Sequence, residues 1–278
     1  MRSEKEMMKL ILDTAKKDTR IRGVILNGSR ANPDAKNDPF QDYDIVYLVT
    51  DIAPYVDNLK WIKRFGEMMI LQIPWDYGDM PGMGEWQFTY LMQFADGNRI
   101  DLTIVSLDHA AEIWKDSQSV VLLDKDGIVP ELPPASNTDY LPKPPAEEEY
   151  AHCCNEFWWV STYVAKGLWR EELTYAKGVM DTWVRDQLMK MLAWHIGIQT
   201  NFKKCPGKLG RYCRDYLEPE LYTQLTMTYS DGETEHVWDS LLIMGDMFRK
   251  VARQVGEHFG YPYPEGDDQR VTAHLWHV

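Results

Sequence analysis

The chain has few cysteines, a deficit of positive charge and no long apolar runs, and each shortage argues against a class of protein. Four cysteines occur among 278 residues, Cys153, Cys154, Cys205 and Cys213. They show no C-x-x-C spacing, and the adjacent pair is awkwardly placed to bridge itself, so reduced thiols fit better than a disulfide framework. The seven histidines are scattered without H-E-x-x-H or any other zinc spacing and are assigned no metal role. No stretch approaches the ~20 apolar residues that a membrane span needs, and the N-terminus mixes charges into an amphipathic pattern where a signal peptide would have an apolar core. A cytoplasmic protein without a membrane partner is expected. Lysine and arginine number 30 against 43 acids, a net charge of −13. That balance suits a cationic small molecule and is a poor match for nucleic acid; with no basic stripe, it disfavours a polymerase-like role.

What is present is enough for real cores: 44% of the residues are hydrophobic, and the length allows one large or two ordinary domains. Apolar residues at helical spacing over 3–18 predict a helix that covers one face of a sheet. Strands are expected over 21–26, 42–50, 68–74, 86–94, 99–105 and 120–124. Helices are expected over 51–65, with Asp51 as cap, and over 107–115. Asp96-Gly97 predicts a hairpin joining the strands on either side of it. The Gly- and Pro-containing loop 76–84 is a candidate substrate rim. Between Ile128 and Pro145 six prolines occur with Ser, Asn and Asp, the composition of an extended connector. Beyond it the pattern turns to long helices over 146–166, 173–198, 218–229 and 233–259, without strand alternation or internal repeat. An α+β protein is expected, with a mixed-sheet domain over 1–135 and an all-α domain over 136–278.

Residues 24–49 organise the chain. An apolar run stops at Asn27-Gly28-Ser29-Arg30, a polar loop follows, and a second apolar run carries Asp42 and Asp44. Alternate residues of a strand share a face, so the two carboxylates stand side by side. Like charges this close raise one pKa unless a cation holds both ionised, and Mg²⁺ is the cation that suits carboxylate and phosphate oxygens together. Gly28 lets the backbone approach a ligand, and the amides and hydroxyl around Ser29 are candidates for phosphate if a helix starts there.

Gly-Ser after one strand and Asp-x-Asp on the next resemble the nucleotidyltransferase superfamily related to DNA polymerase β, whose third carboxylate arrives on a neighbouring strand. Residues 99–105, RIDLTIV, supply it as Asp101. The wording NGSR with QDYDIVYLV is similar to the aminoglycoside 6-adenylyltransferases. The likeness is dense over the first half of the chain and thins in the second. It implies AMP transfer from ATP to a hydroxyl of streptomycin, position 6, in a site with two Mg²⁺ ions held by Asp42, Asp44 and Asp101. Asp101 would act as ligand, as base for the acceptor hydroxyl, or as both.

For the triphosphate, Gly28, Ser29 and Arg30 are candidates together with Lys177 and Lys208, although Arg30 has an alternative role in supporting the turn. A guanidinium-bearing acceptor calls for carboxylates and aromatic faces. Glu156, Trp159 and Tyr163, at helical spacing on one face, and Asp181 on the next helix offer these. An aromatic stripe on a helix is more commonly core. The expected partners are ATP and a cationic aminoglycoside, with a monomer or weak homo-oligomer. A different acceptor, such as another aminoglycoside, a lincosamide or a protein, and a non-catalytic nucleotide-binding regulator are the competing readings.

Overall fold

The computed structural model describes residues 1–74 and 83–278. Most of the expected rim loop, residues 76–82, lies outside the described residues. The chain divides into two compact units, Met1–Asp139 and Tyr140–Val278. The division falls inside the proline-rich stretch, slightly later than the expected 135.

The first unit is a mixed sheet with helices. Its first helix, α1 (Glu4–Lys17), starts at a capping box: the Ser3 hydroxyl accepts from the Glu6 amide while the Glu6 carboxylate accepts from the Ser3 amide. Just before it, Arg2 Nε donates to Asp96 at 2.7 Å and so fastens the N-terminus to a hairpin almost a hundred positions away. Then follow β1 (Ile21–Asn27), a single helical turn α2 (Gly28–Ala31), β2 (Tyr43–Val49), the short α3 (Ala53–Val56) and a 3₁₀ stretch, Leu59–Phe65. The unit continues with β3 (Met68–Gln72), β4 (Gln87–Phe94), β5 (Arg99–Ser106), a second 3₁₀ stretch, Leu107–Glu112, and β6 (Val120–Asp124). The sheet order is β3-β4-β5-β2-β1-β6. β2 and β5 run parallel, and every other neighbouring pair is antiparallel.

Strand alternation sorts the two faces. Tyr43, Ile45, Tyr47 and Val49 of β2 point with Ile100, Leu102 and Ile104 of β5 into one large core with Met7, Ile11 and Ala15 of α1 and with Trp61 and Phe65. The Tyr47 hydroxyl, buried there, is satisfied by the Ile11 carbonyl at 2.7 Å. The opposite face has a much smaller core made of Ile25, Val46, Leu48, Val105 and Ala110. That core stops short of the start of β2 and β5, which leaves room for polar side chains.

Two expectations fail locally. The single helix expected over 51–65 is broken into α3 and a 3₁₀ stretch, because Asn58 accepts from the Lys60 amide and starts a new turn. The helix expected over 107–115 is a 3₁₀ stretch ending at Glu112, held by the Ile113 amide bonding to the Ala110 carbonyl.

The second unit is all helical. α4 (Glu147–Trp169) is followed by a long helix in three parts: α5 (Leu173–Val179), one π-helical stretch, Met180–Val184, and α6 (Arg185–Gln199). After a short turn at Lys208–Gly210 come α7 (Cys213–Tyr216), α8 (Pro219–Met227), α9 (Thr234–Phe259) and α10 (Glu265–His277). Phe157 of α4 stacks on Phe248 of α9 at 3.8 Å between ring centroids, in the middle of the core. Among the described residues no helix is long and apolar enough to cross a membrane.

The last helix, unexpected from the sequence, docks through a buried ion pair together with Leu275 and Val271, which pack on the core. Asp268 is almost fully buried and takes a two-pronged bond from Arg249 at 2.6 and 2.7 Å, with further bonds from the Tyr263 and Thr272 hydroxyls. Burial opposes its ionisation, but these bonds outweigh that and hold the carboxyl below its ordinary value. Breaking a buried pair on one side typically costs about 3–5 kcal/mol. Asp268→Ala is therefore expected to lower the stability of the second unit by that amount in urea titrations of the full chain; an unchanged midpoint would show that α10 docks by other means.

Candidate active site

Two strands and one turn bring the acidic residues together. In the parallel pairing of β2 with β5, Asp44 and Asp101 are register partners, and across the antiparallel pairing with β1 Asp44 faces Asn27. Asp42 lies two residues before Asp44, just ahead of β2. Both Asp44 and Asp101 sit on the sparsely covered face, since their neighbours Ile45, Ile100 and Leu102 fill the opposite core.

The turn after β1 is shaped against these carboxylates. Gly28 has φ +69°, and a Cβ there would come within 2.1 Å of Asp44 Oδ2, so only glycine fits. Ser29 follows in the same turn, its carbonyl accepting from the Gln41 side chain at 3.3 Å. Arg30 is engaged by the chain around it. Its Nε and Nη2 donate to the Asp42 and Gln41 carbonyls at 3.1 and 2.9 Å, and its guanidinium lies 3.9 Å from the Tyr43 ring centre. Of the two roles considered for Arg30, the geometry is that of turn support: it ties α2 to the entry of β2.

Burial and crowding show in the protonation of Asp44. Its carboxyl is pushed up to about 6, first by burial and then by the charges of Asp101 and Asp42, with Arg99 and Arg30 opposing the shift. Arg99 was not anticipated as part of the site. It stands two positions before Asp101 on β5 and donates Nε and Nη2 to both Asp101 oxygens at 2.7 Å, while Nη1 lies 3.6 Å from Asp42 Oδ2. The period-two rule that grouped Asp42 with Asp44 places Arg99 on the face of Asp101 as well, and that was the available signal.

The donor set fits Mg²⁺. Three carboxylates offer hard oxygens, the Gly28 backbone packs directly against the Asp44 carboxylate, and the Arg99 guanidinium already stands in as a cation between Asp42 and Asp101. Among the described residues no three His, Cys, Asp or Glu side chains form a ready-made metal cage. Both oxygens of Asp101 accept bonds from the Arg99 guanidinium.

The helical unit has an open groove of about 820 Å³. Glu156 of α4 and Asp181 of the π-helical stretch both line it, with Trp183, Asp186 and Tyr229. Trp159 and Tyr163 are brought to each other: the Trp159 indole N–H donates to the Tyr163 hydroxyl at 2.8 Å on the exposed side of α4, and neither is among the residues lining this groove. Lys177 bonds Asp181 at 3.2 Å and the Ser230 carbonyl and hydroxyl at 3.0 and 3.3 Å, which uses the donors of its ammonium. Lys208 is exposed on its turn. Arg185, also missed, bonds Asp181 at 3.0 Å and stacks 3.8 Å from the Tyr229 ring. Lys177, Asp181 and Arg185 follow each other at i,i+4 spacing, the helical neighbour rule that would have found it.

A strand, a Gly-Ser turn with its glycine pressed on a carboxylate, and acidic residues aligned across a parallel strand pair define a nucleotidyltransferase. A family model described as streptomycin adenylyltransferase matches residues 1–278. The chain is 40% identical over 271 residues to an aminoglycoside 6-adenylyltransferase of Bacillus subtilis (strain 168), covering 96% of this chain and 95% of that one. It is 39% identical over 270 residues to one of Campylobacter jejuni, covering 97% and 93%, and 33% identical over 266 residues to one of Staphylococcus aureus, covering 95% and 94%. A crystal structure of an aminoglycoside 6-adenyltransferase from Bacillus subtilis is 36% identical with a TM-score of 0.48, over 99% of this chain and 98% of that one. The chain belongs to the streptomycin adenylyltransferase family, and it is an enzyme.

The raised pKa of Asp44 has a direct consequence for stability. The folded state holds a proton that the unfolded chain releases near 3.8, so the group's stabilising contribution is full below about pH 4 and is lost as pH rises through about 6. In chelator, Asp44→Asn is expected to melt at a higher temperature than the parent at pH 7, with the difference shrinking toward pH 4. Melting curves at the two pH values check this, and a variant that is less stable at pH 7 would contradict it.

Proposed function

We propose that the chain transfers AMP from ATP to a hydroxyl of streptomycin, the one at position 6, and thereby inactivates the drug. The observation that carries the reading is the register of Asp44 against Asp101 on parallel strands beside the Gly28-Ser29 turn. A partly buried Asp44 repelled by Asp101 and Asp42 is costly to a fold and is most simply kept for cation chemistry.

In this reading Asp42, Asp44 and Asp101 hold Mg²⁺. When bound, two such ions stabilise the attacking and leaving oxygens of an in-line displacement at the α-phosphorus. Asp101, at the side of the pair, is also the group to accept the proton of the acceptor hydroxyl. Gly28 and Ser29 give backbone amides and a hydroxyl to phosphate oxygens, and Arg30 fixes the turn that presents them. Of the two lysines weighed for phosphate, Lys208 is the exposed one, whereas Lys177 is engaged by Asp181 and Ser230.

Acceptor recognition is assigned to the groove of the helical unit. Glu156 and Asp186 supply carboxylates for guanidinium groups, with Trp183 and Tyr229 as aromatic surfaces. Asp181 lies there too, but with its charge divided between Lys177 and Arg185 its part is to order the groove. The acidic balance of the whole chain, −13, supports a cationic acceptor.

Incubating the protein with ATP, Mg²⁺ and streptomycin is expected to yield drug heavier by one AMP unit, with pyrophosphate released. Asp42→Asn and Asp101→Asn are expected to lower turnover at least about 100-fold while leaving the circular dichroism spectrum unchanged. Near-parental turnover in either variant would remove that residue from the chemistry. Modification of a different aminoglycoside, with streptomycin untouched, would keep the transferase and overturn the acceptor.

A further inference from the structure

Both oxygens of Asp101 already accept a bond from a cation. Arg99 grips them with Nε and Nη2 at 2.7 Å each, and its third nitrogen reaches to 3.6 Å from Asp42 Oδ2. The pairing is local, since residues two apart on a strand lie on one face, and it needs no support from distant elements. The Arg99 side chain is 40% exposed, so it has solvent to swing into. The grip uses one lone pair on each oxygen, and a divalent cation taking the others would sit beside the like charge of the guanidinium. A guanidinium and a divalent ion are thus alternatives for the same carboxylates.

We propose that Arg99 is the resident counter-ion of the carboxylate cluster, held by Asp101 and Asp42 in the metal-free protein and displaced from Asp101 when the divalent cation enters. Metal binding is then an exchange of cations and not the filling of an empty site. Arg99 is a positioning residue in this scheme: it keeps three acids compatible with the folded strand pair until metal arrives, and it weakens metal binding by competing for Asp101. The inference rests on the reading that Asp42, Asp44 and Asp101 hold the cation.

The test is Mn²⁺ binding without nucleotide, followed through the electron paramagnetic resonance signal of the free ion, together with melting temperatures in chelator. The parent, Arg99→Met, Arg99→Lys and Asp44→Asn are compared. Arg99→Met is expected to bind Mn²⁺ roughly tenfold more tightly, the scale of one charge-assisted hydrogen bond that Asp101 no longer has to give up. It is also expected to melt lower than the parent in chelator and to gain more from Mn²⁺. Arg99→Lys, which keeps the charge but loses the two-pronged grip, should fall between them, and it decides the matter by the same comparison if the Met variant does not fold. Equal or weaker Mn²⁺ binding by the Arg99 variants would overturn the exchange and make Arg99 a fixed strut. Equal Mn²⁺ binding, or none, by the parent and Asp44→Asn would instead overturn the cation site itself.

Discussion

The rest of the molecule depends on one pairing, that of β2 with β5, the only parallel neighbours in the described sheet. In this pairing Asp44 meets Asp101 directly, and Asp42 lies two residues earlier, just ahead of β2. Here the intervening chain forms α3, the 3₁₀ stretch, β3 and β4 before returning through the Asp96-Gly97 hairpin. The hairpin register, Gln93 against Arg99, therefore helps to set which residue of β5 arrives opposite Asp44. Arg2, bonded to Asp96, strengthens that corner from the N-terminus.

Placing repelling charges on a sheet requires that the remaining stability come from elsewhere. The face opposite the acids is lined by fully buried residues such as Tyr43, Tyr47, Ile100 and Ile104, packed against α1. Large apolar areas there stabilise the strands that the carboxylates strain. The raised pKa of Asp44 and the engaged Arg99 are two signs of the same imbalance. Local cost at a site and firm packing behind it is the usual arrangement of a catalytic surface.

Much of this was legible in the sequence because period-two alternation pairs Asp42 with Asp44, the family resemblance calls for a third carboxylate at Asp101, and the hairpin signal is short and specific. The helices of the second unit were readable for a similar reason, their apolar spacing being sustained over many turns. Other features were hidden. The break near Asn58 is decided by a side-chain bond to the Lys60 amide that periodicity does not register. α10 is polar along much of its length and is held by the Arg249–Asp268 pair, a contact between segments that no local pattern reveals. Arg99 was not singled out, because its bond to Asp101 is a side-chain contact that the motif does not specify. Glu156, Trp159 and Tyr163 were grouped on one face, but only Glu156 lines the groove while Trp159 and Tyr163 bond each other, because which side of α4 meets the groove depends on how the helices pack.

The central claim is that Asp42, Asp44 and Asp101 share one divalent-cation site beside the Gly28-Ser29 turn. Anomalous scattering from crystals grown with Mn²⁺ and a non-hydrolysable ATP analogue tests it most directly. The account predicts manganese peaks in contact with oxygens of all three carboxylates, with Arg99 turned away from Asp101. Manganese bound elsewhere, with Arg99 still gripping Asp101 while the nucleotide is in place, would contradict it.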